Sequence, residues 1–170
     1  MDVVILGSAG QRIITAGEIL CLAGLTAGFQ TTQKNEYNIT VLRGHSITEV
    51  ILSPQAIGYT GIERPDVILA LSQEGVDRRK RLFDSLDPSV LILQASGVAI
   101  PSCNAEILQA NFKSQKIKTT DWALAALIVL AKMNRVISLE MLETALKYKF
   151  KNKILKSSID LIERVSPNIF

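Results

Sequence analysis

The chain has one histidine, two cysteines and 5% aromatic residues, and each scarcity removes a class of chemistry. A lone His45 cannot build a multi-histidine metal site. Cys21 and Cys103 stand far apart with no Cys-x-x-Cys, so the chain cannot hold an iron–sulfur centre by itself. No Gly-Asp-Gly followed by an asparagine-rich stretch is present to hold magnesium and a diphosphate, and no Ser-His-Asp set can be assembled. The two cysteines read as free thiols in a reducing compartment. The richest apolar run, residues 122–133, is broken by Lys132 and too short to span a membrane. The N-terminus lacks the basic region of a signal peptide. These absences predict a cytoplasmic protein with no membrane association. Few aromatics interleave with the lysines beyond Tyr148 and Phe150, so nucleic-acid binding has no support.

What is present is a core-former. The 170 residues are 48% hydrophobic with mean hydropathy +0.25, which suits a single domain over 1–170 with one sizeable core. The net charge of +3 is unevenly spread. Residues 113–156 hold ten Lys and Arg against three Asp and Glu, so this segment is +7 and the rest is −4. A basic C-terminal third suits an acidic subunit, an acidic carrier protein or a polyphosphate ligand, and equally suits a solvated helix surface.

The first twenty-odd residues organise the chain. Val3-Val4-Ile5-Leu6 reads as a buried parallel strand. Gly7-Ser8-Ala9-Gly10-Gln11-Arg12 reads as a small-residue turn, and Ile13, Ala16, Ile19, Leu20 and Ala23 recur at helical spacing behind it. Strand, glycine-rich turn and helix gather backbone N–H groups and the positive helix end at one point, which suits a phosphate or carboxylate. The helix is expected to stop near Gly28. Residues 29–33 then read as a short strand, 34–36 as a polar turn, and 39–42 as a strand hairpinned to a further strand over 46–52. A turn of helix is expected at 55–57, strands at 66–71 and 90–93, and a single helix over 73–85 between them. Asn104 is expected to cap a short helix to Ala110. Helices follow from Thr120 or Asp121 to Met133, from Ser138, and over the last apolar positions to Val165. The pattern predicts a three-layer α/β/α fold with a mixed, mainly parallel sheet and a helical C-terminal third.

Three motifs, in order, carry a resemblance. Residues 7–20, reading Gly7-Ser8-Ala9-Gly10-Gln11-Arg12-Ile13-Ile14-Thr15-Ala16 onward, resemble a Gly-x-Gly-Gly-Gln-Gly-(Val/Ile)-x-Thr-Ala opening. Residues 36–46, with Tyr37, Arg43, Gly44 and Ser46, resemble a Tyr-Gly-x-Glu-x-Arg-Gly-Gly-x-Ser stretch, and Pro65-Asp66-Val67 resembles a Pro-Asp-hydrophobic strand. The family is the gamma subunit, or gamma domain, of the 2-oxoacid:ferredoxin oxidoreductases that act on pyruvate, 2-oxoglutarate, branched-chain 2-oxoacids or indolepyruvate. The resemblance implies oxidative decarboxylation of a 2-oxoacid to an acyl-CoA with electrons passed to ferredoxin. It implies partners: alpha and beta chains with thiamine diphosphate and magnesium, and a ferredoxin-like chain with iron–sulfur clusters. It also implies that this chain binds no cofactor alone but helps form the site for coenzyme A as co-substrate.

On that resemblance the candidate binding residues are Gly7, Ser8, Ala9, Gly10, Gln11, Arg12, Arg43 and Gly44, with no catalytic residue and no metal ligand. Ala9, Arg12 and His45 each replace a glycine of the family pattern, and Thr120-Asp121-Trp122-Ala123-Leu124-Ala125 keeps only the leucine of a late Asn-x-x-x-Leu-Gly. Arg12 at a helix N-terminus opposes the dipole by about 0.3–1 kcal/mol unless an anion offsets it. Two readings follow: Arg12 forks onto a ligand anion, or it pairs with an acidic residue of this chain or a partner. A stand-alone Rossmann-like nucleotide-binding enzyme, and a non-catalytic regulatory module built on the gamma fold, are the alternatives. Against the former, no Asp or Glu closes the second expected strand to take a ribose hydroxyl.

Overall fold

The structure, a computed structural model, describes residues 1–38 and 43–166. Its centre is a six-stranded sheet in the order β2-β3-β1-β4-β5-β6. The strands are β1 (Asp2–Ser8), β2 (Gln30–Tyr37), β3 (His45–Ser53), β4 (Val67–Ala70), β5 (Leu91–Ala95) and β6 (Glu106–Ala110). β1, β4, β5 and β6 pair in parallel, whereas β3 runs antiparallel to both β1 and β2. One reversed strand in an otherwise parallel sheet is the mixed sheet that the sequence predicts.

The helices are α1 (Ile13–Thr26), α2 (Gln73–Arg78), α3 (Trp122–Lys132), α4 (Leu139–Lys149) and α5 (Asn152–Arg164). α1 covers β2 and β3, and α3 and α4 pack on α1. The alternation of β3 fixes the layers. Thr48 points at α1, where a Cβ on Gly17 would meet its hydroxyl. Glu49, one residue on, reaches Arg79 beyond α2 on the opposite face. The two helical layers are therefore unequal. Val3 to Leu6, Ile68 to Leu71 and Ile92 to Leu93 form the floor of the core, and nine of the eleven residues of α3 are buried over it.

Polar satisfaction holds the C-terminal third together. Ser138 caps α4 by accepting from the Met141 amide at 3.2 Å. Lys132, at the end of α3, donates at 2.6 Å to the carbonyls of Ile162 and Val165, so it closes the C-terminal end of α5. Trp122 is buried against Phe112, with ring centroids 5.6 Å apart, and its indole N–H donates to the Ile117 carbonyl.

Several local expectations are corrected. Residues 34–36 are not a turn: β2 runs on through them because Lys34, Asn35 and Glu36 pair with Glu49, Thr48 and Ile47 of β3. The hairpin partner of β3 is this longer β2; the strand expected at 39–42 lies outside the described residues. The expected helix at 55–57 is irregular chain. The helix over 73–85 stops at Arg78 and resumes as a 3-10 turn over Lys80–Ser85, since Arg79 leaves helical geometry at φ −113° and ψ 26°. Residues 104–110 hold a strand instead of a helix; β6 takes its hydrogen bonds from β5.

Candidate functional site

The turn at 7–12 sits at the carboxyl end of β1, the place in an open α/β sheet where ligands gather. Gly7 and Ser8 are still β-strand. Gly10 turns the chain at φ +88°, a conformation glycine adopts at no steric cost. Arg12 follows at φ +56°, also left-handed, as the residue that flanks α1. For an arginine that conformation costs about 1–2 kcal/mol, and a glycine, which the family pattern carries here, would remove most of that cost.

The turn uses most of its own donors. The Ser8 amide donates to Gln11 Oε1 at 2.8 Å, the Gln11 amide to the Ser8 carbonyl at 3.2 Å, and the Ala9 amide to the Gly44 carbonyl at 2.9 Å. Gln11 is buried, and its Nε2 donates across to the Leu71 carbonyl at the end of β4. It acts as a brace between two strand ends. What the turn presents outward is the Gly10 backbone, with open space around it, and the Arg12 side chain.

The bond from Ala9 to Gly44 joins the two predicted segments. Gly44, at φ +88°, sets its carbonyl against the turn, and Arg43 before it is exposed. His45 opens β3 with Nε2 3.3 Å from Glu36 Oε1. Glu36 also accepts from Arg78 and lies 2.8 Å from Arg79. Arg79 reaches Glu49 at 3.0 Å, and Lys34 approaches the other Glu49 oxygen at 3.7 Å. Burial alone would raise the Glu36 carboxyl; the Arg78 hydrogen bond, with Arg79, Arg78 and His45 close by, instead holds it below the usual value. Sequence reasoning missed this ion cluster. Its one signal was the glutamate inside the apolar strand 46–52.

Arg12 points the other way, to Asp121, with Nη1 and Oδ1 3.3 Å apart. Asp121 occupies the N-cap position of α3 but makes no cap hydrogen bond; its carboxylate faces Arg12. This is the intramolecular version of the acidic pairing, and the carboxylate offsets the dipole cost at α1. Beside the pair lies a cavity of about 690 Å³ between α1, the 116–120 segment, the start of α3, and α5. Arg12, Lys116, Lys118 and Arg164 reach its lining, against the single carboxylate of Asp121. Among the described residues no group of three or more His, Cys, Asp or Glu is placed to hold a metal ion. Cys21 and Cys103 are free thiols, and no helix among the described residues is long and apolar enough to cross a membrane.

The family described as pyruvate ferredoxin/flavodoxin oxidoreductase matches residues 2–166. A 2-oxoglutarate synthase subunit KorC from Methanocaldococcus jannaschii is 28% identical over 148 residues, covering 82% of this chain and 78% of that one. The ketoisovalerate oxidoreductase subunit VorA of Methanothermobacter thermautotrophicus is 23% identical, over 94% of this chain and 34% of that one. The fold is that of the keto/oxoacid ferredoxin oxidoreductase gamma subunit of Geobacter sulfurreducens, with a TM-score of 0.75, 23% identity, and 96% and 94% of the two chains covered. It also overlays a 2-oxoglutarate:ferredoxin oxidoreductase from Magnetococcus marinus solved with 2-oxoglutarate, coenzyme A and succinyl-CoA, at a TM-score of 0.79 and 18% identity; 96% of this chain and 30% of that one are covered. With its glycine turn, the Arg-Gly loop bonded to it and the Pro-Asp strand beside it, the chain belongs to the pyruvate ferredoxin/flavodoxin oxidoreductase family, and its fold is that of a keto/oxoacid ferredoxin oxidoreductase gamma subunit.

Proposed function

We propose that this chain works inside a multisubunit complex, supplying structure and one wall of the coenzyme A site through the turn at 7–12 and the Arg43-Gly44 loop. The observation that carries the reading is the 2.9 Å bond between Ala9 and Gly44, which brings the two segments to one end of the sheet. The chemistry fits the co-substrate: Arg43 is an exposed guanidinium suited to phosphate, while Gly10 leaves room for a close approach. In such a complex, thiamine diphosphate with magnesium and iron–sulfur clusters on the alpha, beta and ferredoxin-like chains supply decarboxylation and electron transfer to ferredoxin. This chain's part is to hold the acyl acceptor in place and to fix the partner surfaces.

The test is a tagged pull-down from the native cell with mass spectrometry of the co-purifying chains, followed by acyl-CoA synthesis assays across 2-oxoacids. The expected result is a thiamine-binding chain and a cluster-bearing chain in fixed ratio, with no turnover by the pure chain. In the complex, Arg43→Ala is expected to raise the KM for coenzyme A several-fold and leave that for the 2-oxoacid unchanged. Recovery of a complex with no change in coenzyme A kinetics would favour the non-catalytic module. Tight binding of a nicotinamide or flavin nucleotide by the chain alone would favour the stand-alone enzyme.

A further inference from the structure

We infer that the cavity between α1, α3 and α5 is a binding site for a phosphate ester with an apolar body, whose anion competes with Asp121 for Arg12. Its volume of about 690 Å³ lies in the range of small-molecule sites. Its chemistry is two-sided. Ile19, Leu124, Phe150 and Leu161 supply an apolar wall. Arg12, Lys116, Lys118 and Arg164 supply four cations against one carboxylate. None of Lys116, Lys118 and Arg164 has an acidic partner among the described residues. All four are exposed, and the Arg164 guanidinium donates to the Lys116 carbonyl at 3.4 Å; like charges on one lining repel each other, and a dianion bound among them offsets that repulsion.

Backbone strain sits at the same place. Arg12 and Lys116 are two of the four described non-glycine residues at positive φ, at +56° and +54°, and both line the cavity. Strained backbone under charged side chains that line a cavity marks a place where position has been favoured over local comfort. The exposed Arg12–Asp121 pair is worth at most about 1 kcal/mol, so a phosphate can take the guanidinium from the carboxylate at small cost. Neutralising Asp121 therefore strengthens binding, a sign that mere structural damage would not give.

The chain has its own reporter. Trp122, the single tryptophan, follows Asp121 and donates to Ile117, a lining residue. Titration of the full chain with octyl phosphate, followed by Trp122 fluorescence at low salt, is expected to saturate, with octanol and inorganic phosphate each at least tenfold weaker. Lys118→Glu with Arg164→Ala is expected to weaken octyl phosphate at least tenfold, and Asp121→Asn to tighten it a few-fold. Circular dichroism of each variant separates misfolding from lost binding. Equal affinity for octanol and octyl phosphate, or a charge-removed variant that is folded and binds as wild type does, overturns the inference. Two sources share the chemistry. Displacement of octyl phosphate by coenzyme A assigns the site to the co-substrate's phosphate-bearing end; saturation undisturbed by coenzyme A assigns it to a separate phosphorylated effector. Because the titration needs only this chain, its outcome is independent of whether the pull-down recovers a complex.

Discussion

Arg12 carries a backbone cost and a side-chain gain, and the two can be separated by substitution. The left-handed conformation at φ +56° costs any L-residue with a Cβ about 1–2 kcal/mol. The exposed pair with Asp121 returns a fraction of that. Arg12→Ala keeps the cost and loses the pair; Arg12→Gly loses both but gains freedom in the unfolded chain, worth about 0.5–1 kcal/mol against it. The expected order in urea denaturation is therefore Gly at or slightly above wild type and Ala below both, with Gly and Ala about 1 kcal/mol apart. An alanine variant as stable as the glycine one would show that the turn relaxes out of the left-handed region. Gln11 makes the contrasting case. Its amide is spent on Ser8 and Leu71, so it serves by bracing the turn.

At the scale of elements, α2 approaches β1 backbone to backbone. A Cβ built on Gly75 would lie 2.5 Å from the Gly7 nitrogen and 2.6 Å from the Leu6 carbonyl carbon. Both are backbone atoms of a buried strand and cannot rotate away. Gly75→Ala is expected to cost about 2 kcal/mol or more, read as a lower urea midpoint with unchanged slope. Most elements were legible in the sequence for a stated reason. β1, β4 and β5 are short apolar runs, and α1 and α4 show helical periodicity behind recognisable turns or caps. The two misread strands, β2 and β6, are the two edges of the sheet. Their residues, Gln30 to Tyr37 and Glu106 to Ala110, are too polar or too short to show a strand period. They are strands because β3 and β5 offer them hydrogen bonds, a tertiary term that overrides local preference. The site divides in the same way. The glycine turn could be read from its strand–turn–helix pattern and the Arg-Gly loop only from the family resemblance, while the Arg12–Asp121 pair joins residues 109 positions apart and the α5 wall of the cavity is set by packing.

Charge as well as apolar packing fastens the sheet to the layer that holds α2. Glu36 on β2 and Glu49 on β3 converge on Arg78 and Arg79, at and just beyond the end of α2, with Lys34 and His45 at the margin. This cluster ties the antiparallel edge of the sheet to the layer opposite α1. Arg79, where α2 gives way to the 3-10 turn, sets its guanidinium against both glutamates. Because the cations hold the Glu36 carboxyl below its ordinary value, the folded state binds its proton less readily than the unfolded chain does. The stabilisation is then complete above the ordinary carboxylate value of 4.5 and is withdrawn as the pH falls from there through the lower folded value. Glu36→Gln removes the titrating group but keeps the shape. The variant is expected to be less stable than wild type at pH 7, and the gap should narrow steadily on going to pH 3, measured as urea midpoints at each pH. A gap that stays constant across that range would mean that the carboxylate contributes through packing alone, and that the edge hairpin is held to α2 by the apolar contacts beneath it.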